Sequence, residues 1–214
     1  MIMDTADLLQ LSQWLSPAFP VSSYAYSHGL EAEIVEGRVR DGAGLAQWVA
    51  AVLSVGAGRN DAILMLAARR GEEDLAVLSD LALAMAGSRE RVAETTAQGR
   101  ALAETLAALG IGDGVARPYP VVLGSAVRGL ALDDATVCAL YLQSFAASLV
   151  SAAVRFVPLG QAQGQLVLAQ LHATIADVAD DACAAGLAGI GTGVFGADLA
   201  AMAHETLEVR IFRT

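Results

Sequence analysis

Ala135-Thr136-Val137-Cys138-Ala139-Leu140-Tyr141-Leu142-Gln143-Ser144-Phe145-Ala146-Ala147-Ser148-Leu149-Val150-Ser151-Ala152-Ala153-Val154 runs without a single charge. Val137, Tyr141, Phe145 and Leu149 step through it by four, the spacing that puts side chains on one face of an α-helix. An uncharged run of about 20 residues would also suffice to cross a bilayer. Thr136, Gln143, Ser144, Ser148 and Ser151 interrupt it, however, and neither an aromatic belt nor a basic flank frames it. The stretch therefore reads as a buried helix of a soluble protein, not a membrane span. From 135 to 176 the only charged residue is Arg155. That is more apolar than one face of a surface helix needs, so the region is central core or a partner surface, and core is the usual fate of such stripes.

The same period continues outward. Leu8, Leu11 and Leu15 form one stripe, Leu75, Leu78, Leu81 and Met85 another, and Leu102, Leu106 and Leu109 a third. Alternating strand patterns are absent, and alanine, a strong helix former, makes up about a fifth of the chain. Gly37, Gly71 and Gly110 stand where helices should end, and Asp41, Asn60 and Ser88 where they should start. Arg69 and Arg70 close one stretch and Glu72, Glu73 and Asp74 open the next, matching both ends of the helix macrodipole. These signals predict an all-α fold, a single-domain bundle of about eight to ten short helices over 1–214. No repeat of solenoid length is present.

The chain has 214 residues, enough for one ordinary domain. With 55% hydrophobic residues it has ample material for a core, which excludes intrinsic disorder. Its 13 basic residues are all Arg, against 23 acidic ones, for a net charge of −10. A chain without lysine has no Schiff-base, P-loop or general-base lysine. Its acidity argues against nucleic acid, because counterion release needs a basic surface. Cys138 and Cys183 lie far apart with no CxxC spacing, and read as free thiols in a reducing cytosol. The acidic start MIMDTADLLQ is no targeting peptide. A cytoplasmic location is expected.

Few residues suggest catalysis. Gly191-Thr192-Gly193-Val194-Phe195-Gly196 matches GxGxxG, but in a helical context with no strand before it, so it reads as a by-product of the glycine-rich tract Ala182–Gly196. That tract allows either close helix packing or a flexible connection. His28, His172 and His204 each lack a second His or Cys at i+3 or i+4, and His204-Glu205 is not HExxH because Glu208 stands at the last position. No catalytic residue, metal ligand or cofactor site is expected. The alternative from another class is a small helical metal-binding carrier or metalloenzyme assembled from these dispersed histidines; a helical regulator is a third.

Three segments carry unusual local chemistry. In Ser16-Pro17-Ala18-Phe19-Pro20-Val21-Ser22-Ser23-Tyr24-Ala25-Tyr26-Ser27-His28-Gly29-Leu30-Glu31 the prolines set an extended link, Ser22 or Ser23 is placed to cap the following helix, and Gly29 within that helix admits a close neighbour. Val157-Pro158-Leu159-Gly160-Gln161-Ala162-Gln163-Gly164-Gln165 places glutamines and glycines at a helix junction. The end, Met202-Ala203-His204-Glu205-Thr206-Leu207-Glu208-Val209-Arg210-Ile211-Phe212-Arg213-Thr214, holds enough apolar residues to suggest that something covers it.

Together these segments resemble the UreF family of urease accessory proteins. The family pattern SPxxPxGxxxYSxGLE is met by SPAFPVSSYAYSHGLE, with Ser22 in place of Gly. AAVRxxPLGQxxGQ is met from Ala152 to Gln165, and MxHExxxxRLFxS by MAHETLEVRIFRT, with Thr214 in place of Ser. With PYPVVLGSAVRGL, Pro118 to Leu130, the resemblance spans the chain in order. It implies a homodimeric, non-enzymatic scaffold whose partners are a UreD/UreH-type accessory protein, a UreG-type GTPase and the urease apoprotein, supporting GTP-dependent nickel insertion. It also implies that Tyr24, Tyr26, Ser27, Gly29 and Glu31 lie near the assembled interface. The tail from about 203 to 214, with His204, Glu205, Arg210 and Phe212, would order on contact with the UreD-type partner.

Overall fold

A computed structural model describes residues 4–157, 159–191, 193 and 195–213. Of the motif residues above, Pro158, Thr192, Val194 and Thr214, and the side chains of Tyr24 and Phe195, lie outside the described residues. The described chain is all-α. The helices are α1 (Thr5–Trp14), α2 (Leu30–Val35), α3 (Gly42–Val55), α4 (Ala57–Arg70), α5 (Leu75–Ala84), α6 (Arg89–Ala108), α7 (Tyr119–Val127), α8 (Asp134–Val154), α9 (Gln161–Gln170), α10 (His172–Ala185) and α11 (Phe195–His204). α9 and α10 adjoin at Leu171, and single 3-10 turns occupy Ser23–Ala25 and Leu187–Gly189.

Helix starts follow side-chain capping. Asp41 accepts from Gly44 N–H at 2.8 Å, Asp74 from Ala76 N–H at 2.7 Å, Ser88 from Arg91 N–H at 3.0 Å and Asp133 from Thr136 N–H at 2.8 Å. Each satisfies an N–H that the first turn cannot. Gly71 closes α4 with φ +69. Asn60 does not start a helix. It lies inside α4, 5% exposed, and its side-chain oxygen accepts from Gly191 N–H at 3.1 Å. A start signal was spent on tertiary bonding instead. Ser22 has φ +57 and makes no side-chain cap bond, and Gly29 is the N-cap of α2, not an interior residue.

The centre of the bundle is α4, where Ala62 to Ala68 are all at most 1% exposed. It packs on α3, α5, α7, α8 and α10. Its contact with α7 is close because Gly124 has no side chain: a Cβ there would stand 2.2 Å from the Met65 carbonyl oxygen. Arg69 fastens the end of α4 to the α7–α8 connection through Asp134 at 2.8 Å and the Val127 and Leu132 carbonyls. The uncharged 135–154 stretch is one helix, α8, with Val137, Cys138, Tyr141, Leu142, Ala146, Leu149 and Val150 in the core. Among the described residues Gly42–Arg70 and α8 are long and apolar enough to cross a membrane, and half or more of the most apolar part of each is buried inside the bundle. Described residues of the glycine-rich tract are tied to the bundle: Arg59 donates to Asp181, just before the tract, at 2.6 Å and to the Gly189 carbonyl at 2.5 Å, and Gly193 N–H donates to the Val55 carbonyl at 2.8 Å.

Candidate functional site

α11 packs on α2 and α6, and its last residue, His204, is completely buried. The ring Nε2 lies 2.9 Å from Glu31 Oε2, and Nδ1 lies 2.7 Å from Glu90 Oε2. The Glu31 carboxylate also accepts from the Ile211 and Phe212 N–H groups, each at 3.0 Å. Glu90 Oε1 accepts from Arg210 Nη1 at 2.7 Å. Beside it, Arg89 donates to Glu205 through its backbone N–H at 2.9 Å and Nη2 at 3.0 Å. Arg213 N–H donates to the Ala25 carbonyl at 2.8 Å. The Phe212 ring stacks on Phe156 at 5.1 Å, with the Arg155 guanidinium 6.0 Å from its centre. Residues 205–213 therefore form an irregular strap that ties α2, α6, the 23–25 turn and the end of α8 together.

Gly29 makes this geometry possible. Its φ is +80, and a Cβ would stand 2.5 Å from Ala201 N and 2.8 Å from Ala200 C, inside the backbone of α11. With α11 seated there, Glu31 points at His204. Burial alone would raise the Glu31 pKa, but the bonds from His204, Ile211 and Phe212 outweigh it and hold the carboxyl below its ordinary 4.5. A depressed carboxyl stabilises the folded form fully above its unfolded value and loses that stabilisation as pH falls through its folded value. Strap amides are thus expected to lose protection against hydrogen exchange as pH falls below 4.5. Unchanged protection of Ile211 and Phe212 in acid would contradict this.

A second polar cluster lies deeper. Glu94, 2% exposed, accepts from His28 Nε2 and Gln98 Nε2, both at 3.0 Å, and stands 3.4 Å from Arg91 Nη1. Asp61 accepts from Arg91 Nη2 and from the Tyr141 hydroxyl at 3.1 Å. Burial disfavours the Glu94 anion, yet His28 and Arg91 together hold its pKa below the ordinary value. At Asp61 burial prevails over Arg91, and the pKa rises. Two cavities of about 50 and 40 Å³ flank the cluster, and His28, Asp61, Arg91 and Glu94 line both. His28 has φ +53, uncommon for a side chain of its size, and its ring rests on Phe145 at 4.7 Å.

Of the residues expected at an interface, Glu31, His204, Glu205, Arg210 and Phe212 come together here, with Gly29 supporting them. Tyr26 and Ser27 are buried, at 5% and 0% exposure, and Ser27 Oγ accepts from Glu31 N–H at 3.4 Å. Tyr24 contributes backbone to the 23–25 turn. Glu90, Arg89, Arg155 and Phe156 belong to the strap's seat and were absent from the sequence-level set. Glu90 reads in sequence only as an acidic residue in a first helical turn, and nothing there signals a partner more than 100 positions away. His28 and His204 each pair with glutamate and His172 is exposed. Among the described residues no group of three or more His, Cys, Asp or Glu is arranged to hold a metal.

The fold and the site define an all-α protein whose buried charges join distant segments of its own chain. Comparison with known proteins is specific. A family model described as UreF matches residues 39–172. The chain is 63% identical to the urease accessory protein UreF of Jannaschia sp. (strain CCS1), over 98% of this chain and 96% of that one. It is 56% identical to UreF of Cereibacter sphaeroides (strain KD131), over 98% and 100%, and 45% identical to UreF of Paracoccus denitrificans (strain Pd 1222), over 100% and 99%. The chain belongs to the UreF family of urease accessory proteins.

Proposed function

We propose that this chain is a non-catalytic scaffold of urease maturation, a cytoplasmic homodimer that joins the urease apoprotein and its UreD/UreH-type accessory protein to a UreG-type GTPase. In this role it supports GTP-dependent nickel insertion, with nickel as cargo. Near full-length identity to urease accessory proteins carries the reading. The strap supports it: Phe212 is turned inward, while Val209 and Ile211 are 79% and 69% exposed on the outward side. Large apolar side chains left in water mark a contact surface when they cluster. Buried Tyr26, Ser27, Gly29, Glu31 and His204 act by seating the strap, and Arg210 acts at its outer edge. Contact with the UreD-type partner completes the ordering of the tail from about 203 onward.

The test is the nickel content and activity of the host's urease, with and without this chain, at equal urease protein. Nickel-poor urease in its absence, restored when the chain is supplied, is expected. Fully loaded urease without it would end the proposal. Arg210→Ala separates interface from fold. The Arg210 side chain is 44% exposed, so its pair with Glu90 contributes no more than about 1 kcal/mol after solvent screening. The variant is expected to melt near the parent temperature yet to recover less partner in a pull-down with the UreD-type protein. A large melting shift would assign Arg210 to the fold instead.

A further inference from the structure

Both ring nitrogens of His204 face carboxylate oxygens, Glu31 at 2.9 Å and Glu90 at 2.7 Å, at a position with 0% exposure. A neutral imidazole has one N–H and one lone pair. Between two ionised carboxylates that lone pair would point directly at an anion, where no solvent reaches. Buried polar groups opposed in this way are strongly unfavourable. The arrangement is satisfied when the three groups together hold one proton more than a neutral ring and two carboxylates do, on the ring or on one carboxyl. We propose that this proton locks the strap: Glu31, His204 and Glu90 form a proton-held clasp, and its loss releases residues 205–213.

The clasp and the strap share atoms. Glu31 Oε2 accepts from both His204 Nε2 and the Phe212 N–H, and Glu90 holds His204 on one oxygen and Arg210 on the other. Repulsion that turns either carboxylate away from the ring therefore also disturbs the strap. The charged groups facing the ring are Glu31 from α2, Glu90 and Arg89 from α6, Arg210 from the strap and Glu205 at the end of α11. Arg89 is bound to Glu205, and Arg210 to the far oxygen of Glu90, so neither guanidinium stands between the ring and its carboxylates. His28, Asp61, Arg91 and Glu94 pair among themselves in the deeper cluster. Protonation of Glu31 in acid also frees the strap, so the seated form occupies a window bounded on both sides. The inference concerns this chain alone and stands whichever partner the strap meets.

The experiment is nuclear magnetic resonance on the full chain. Ring ¹⁵N and side-chain carboxyl ¹³C shifts locate the proton, and amide exchange at Ile211 and Phe212 follows the strap from about pH 6 to about pH 9. At neutral pH the extra proton is expected on the ring or on one of the two carboxyls. Above the release point, opening is expected to rise about tenfold per pH unit, the slope of a one-proton linkage, after correction for intrinsic exchange. Glu90→Gln supplies an amide donor to the ring lone pair, so a neutral ring is satisfied and the alkaline rise should vanish. If that variant fails to seat the strap, the shifts of the parent chain decide alone. A neutral ring between two ionised carboxylates at neutral pH would overturn the proposal. So would a flat parent profile, or an alkaline rise that persists in a seated Glu90→Gln chain.

Discussion

Replacing His204 with alanine is expected to free the strap and lower the stability of the chain sharply. Glu31 and Glu90 would keep their places at 3% and 9% exposure but lose the donor between them. Removing one partner of a buried charge pair costs about 3–5 kcal/mol, because the charge left behind is uncompensated. The chain has a way to reduce that cost. The strap and the end of α11 can lift and let water reach both carboxylates, so local release should precede global unfolding. The expected record is a denaturant midpoint displaced toward lower concentration and Ile211 and Phe212 amides that exchange as if unfolded, while α4 amides remain protected. A midpoint and strap protection equal to the parent's would show that the imidazole is dispensable.

The second large effect is expected at Gly29. Alanine there meets two separate obstacles. The left-handed backbone, φ +80, costs a residue with a Cβ about 1–2 kcal/mol. The Cβ would also stand 2.5 Å from Ala201 N, and a helix backbone has no flexible end to move aside. α11 must shift as a body, and the sum is expected to reach about 3 kcal/mol or more. Gly110 provides the internal control, because its φ is +78 and nothing lies within 4 Å of its Cβ position. Gly110→Ala should therefore report the backbone cost alone. The excess of Gly29→Ala over Gly110→Ala measures the α2–α11 approach in equilibrium unfolding. Equal losses at the two positions would mean that α11 yields without cost.

These two residues illustrate how far local pattern reaches. Gly29 and His204 both stood out in sequence, Gly29 as a glycine admitting a close neighbour and His204 inside a recognisable tail. Their pairing did not, since Glu31 and His204 are separated by most of the chain. The cap signals at Asp41 and Ser88 were legible because a cap bond closes within three residues. Asn60 looked like another and was not, because its oxygen serves Gly191 from across the bundle. The glycine-rich tract was ambiguous for the same reason. Its anchors, Arg59 and Val55, lie on other helices.

The uncharged stretch 135–154, the leucine stripes, the alanine content and the cap signals at Asp41 and Ser88 were sufficient for an all-α bundle, since helix formation depends on contacts within about four residues. The four motifs taken together were sufficient for the family. Neither identified the centre, for which the uncharged stretch itself was a candidate. That place belongs to α4, whose Ala62–Ala68 run carries no marker beyond its hydrophobicity, and packing on five neighbours put it there. The strap's seat likewise exists only in three dimensions. Glu90 becomes a partner of His204 and Arg210 because α6 and α11 are brought together by the bundle, and a charge's meaning depends on what it faces once water has been removed.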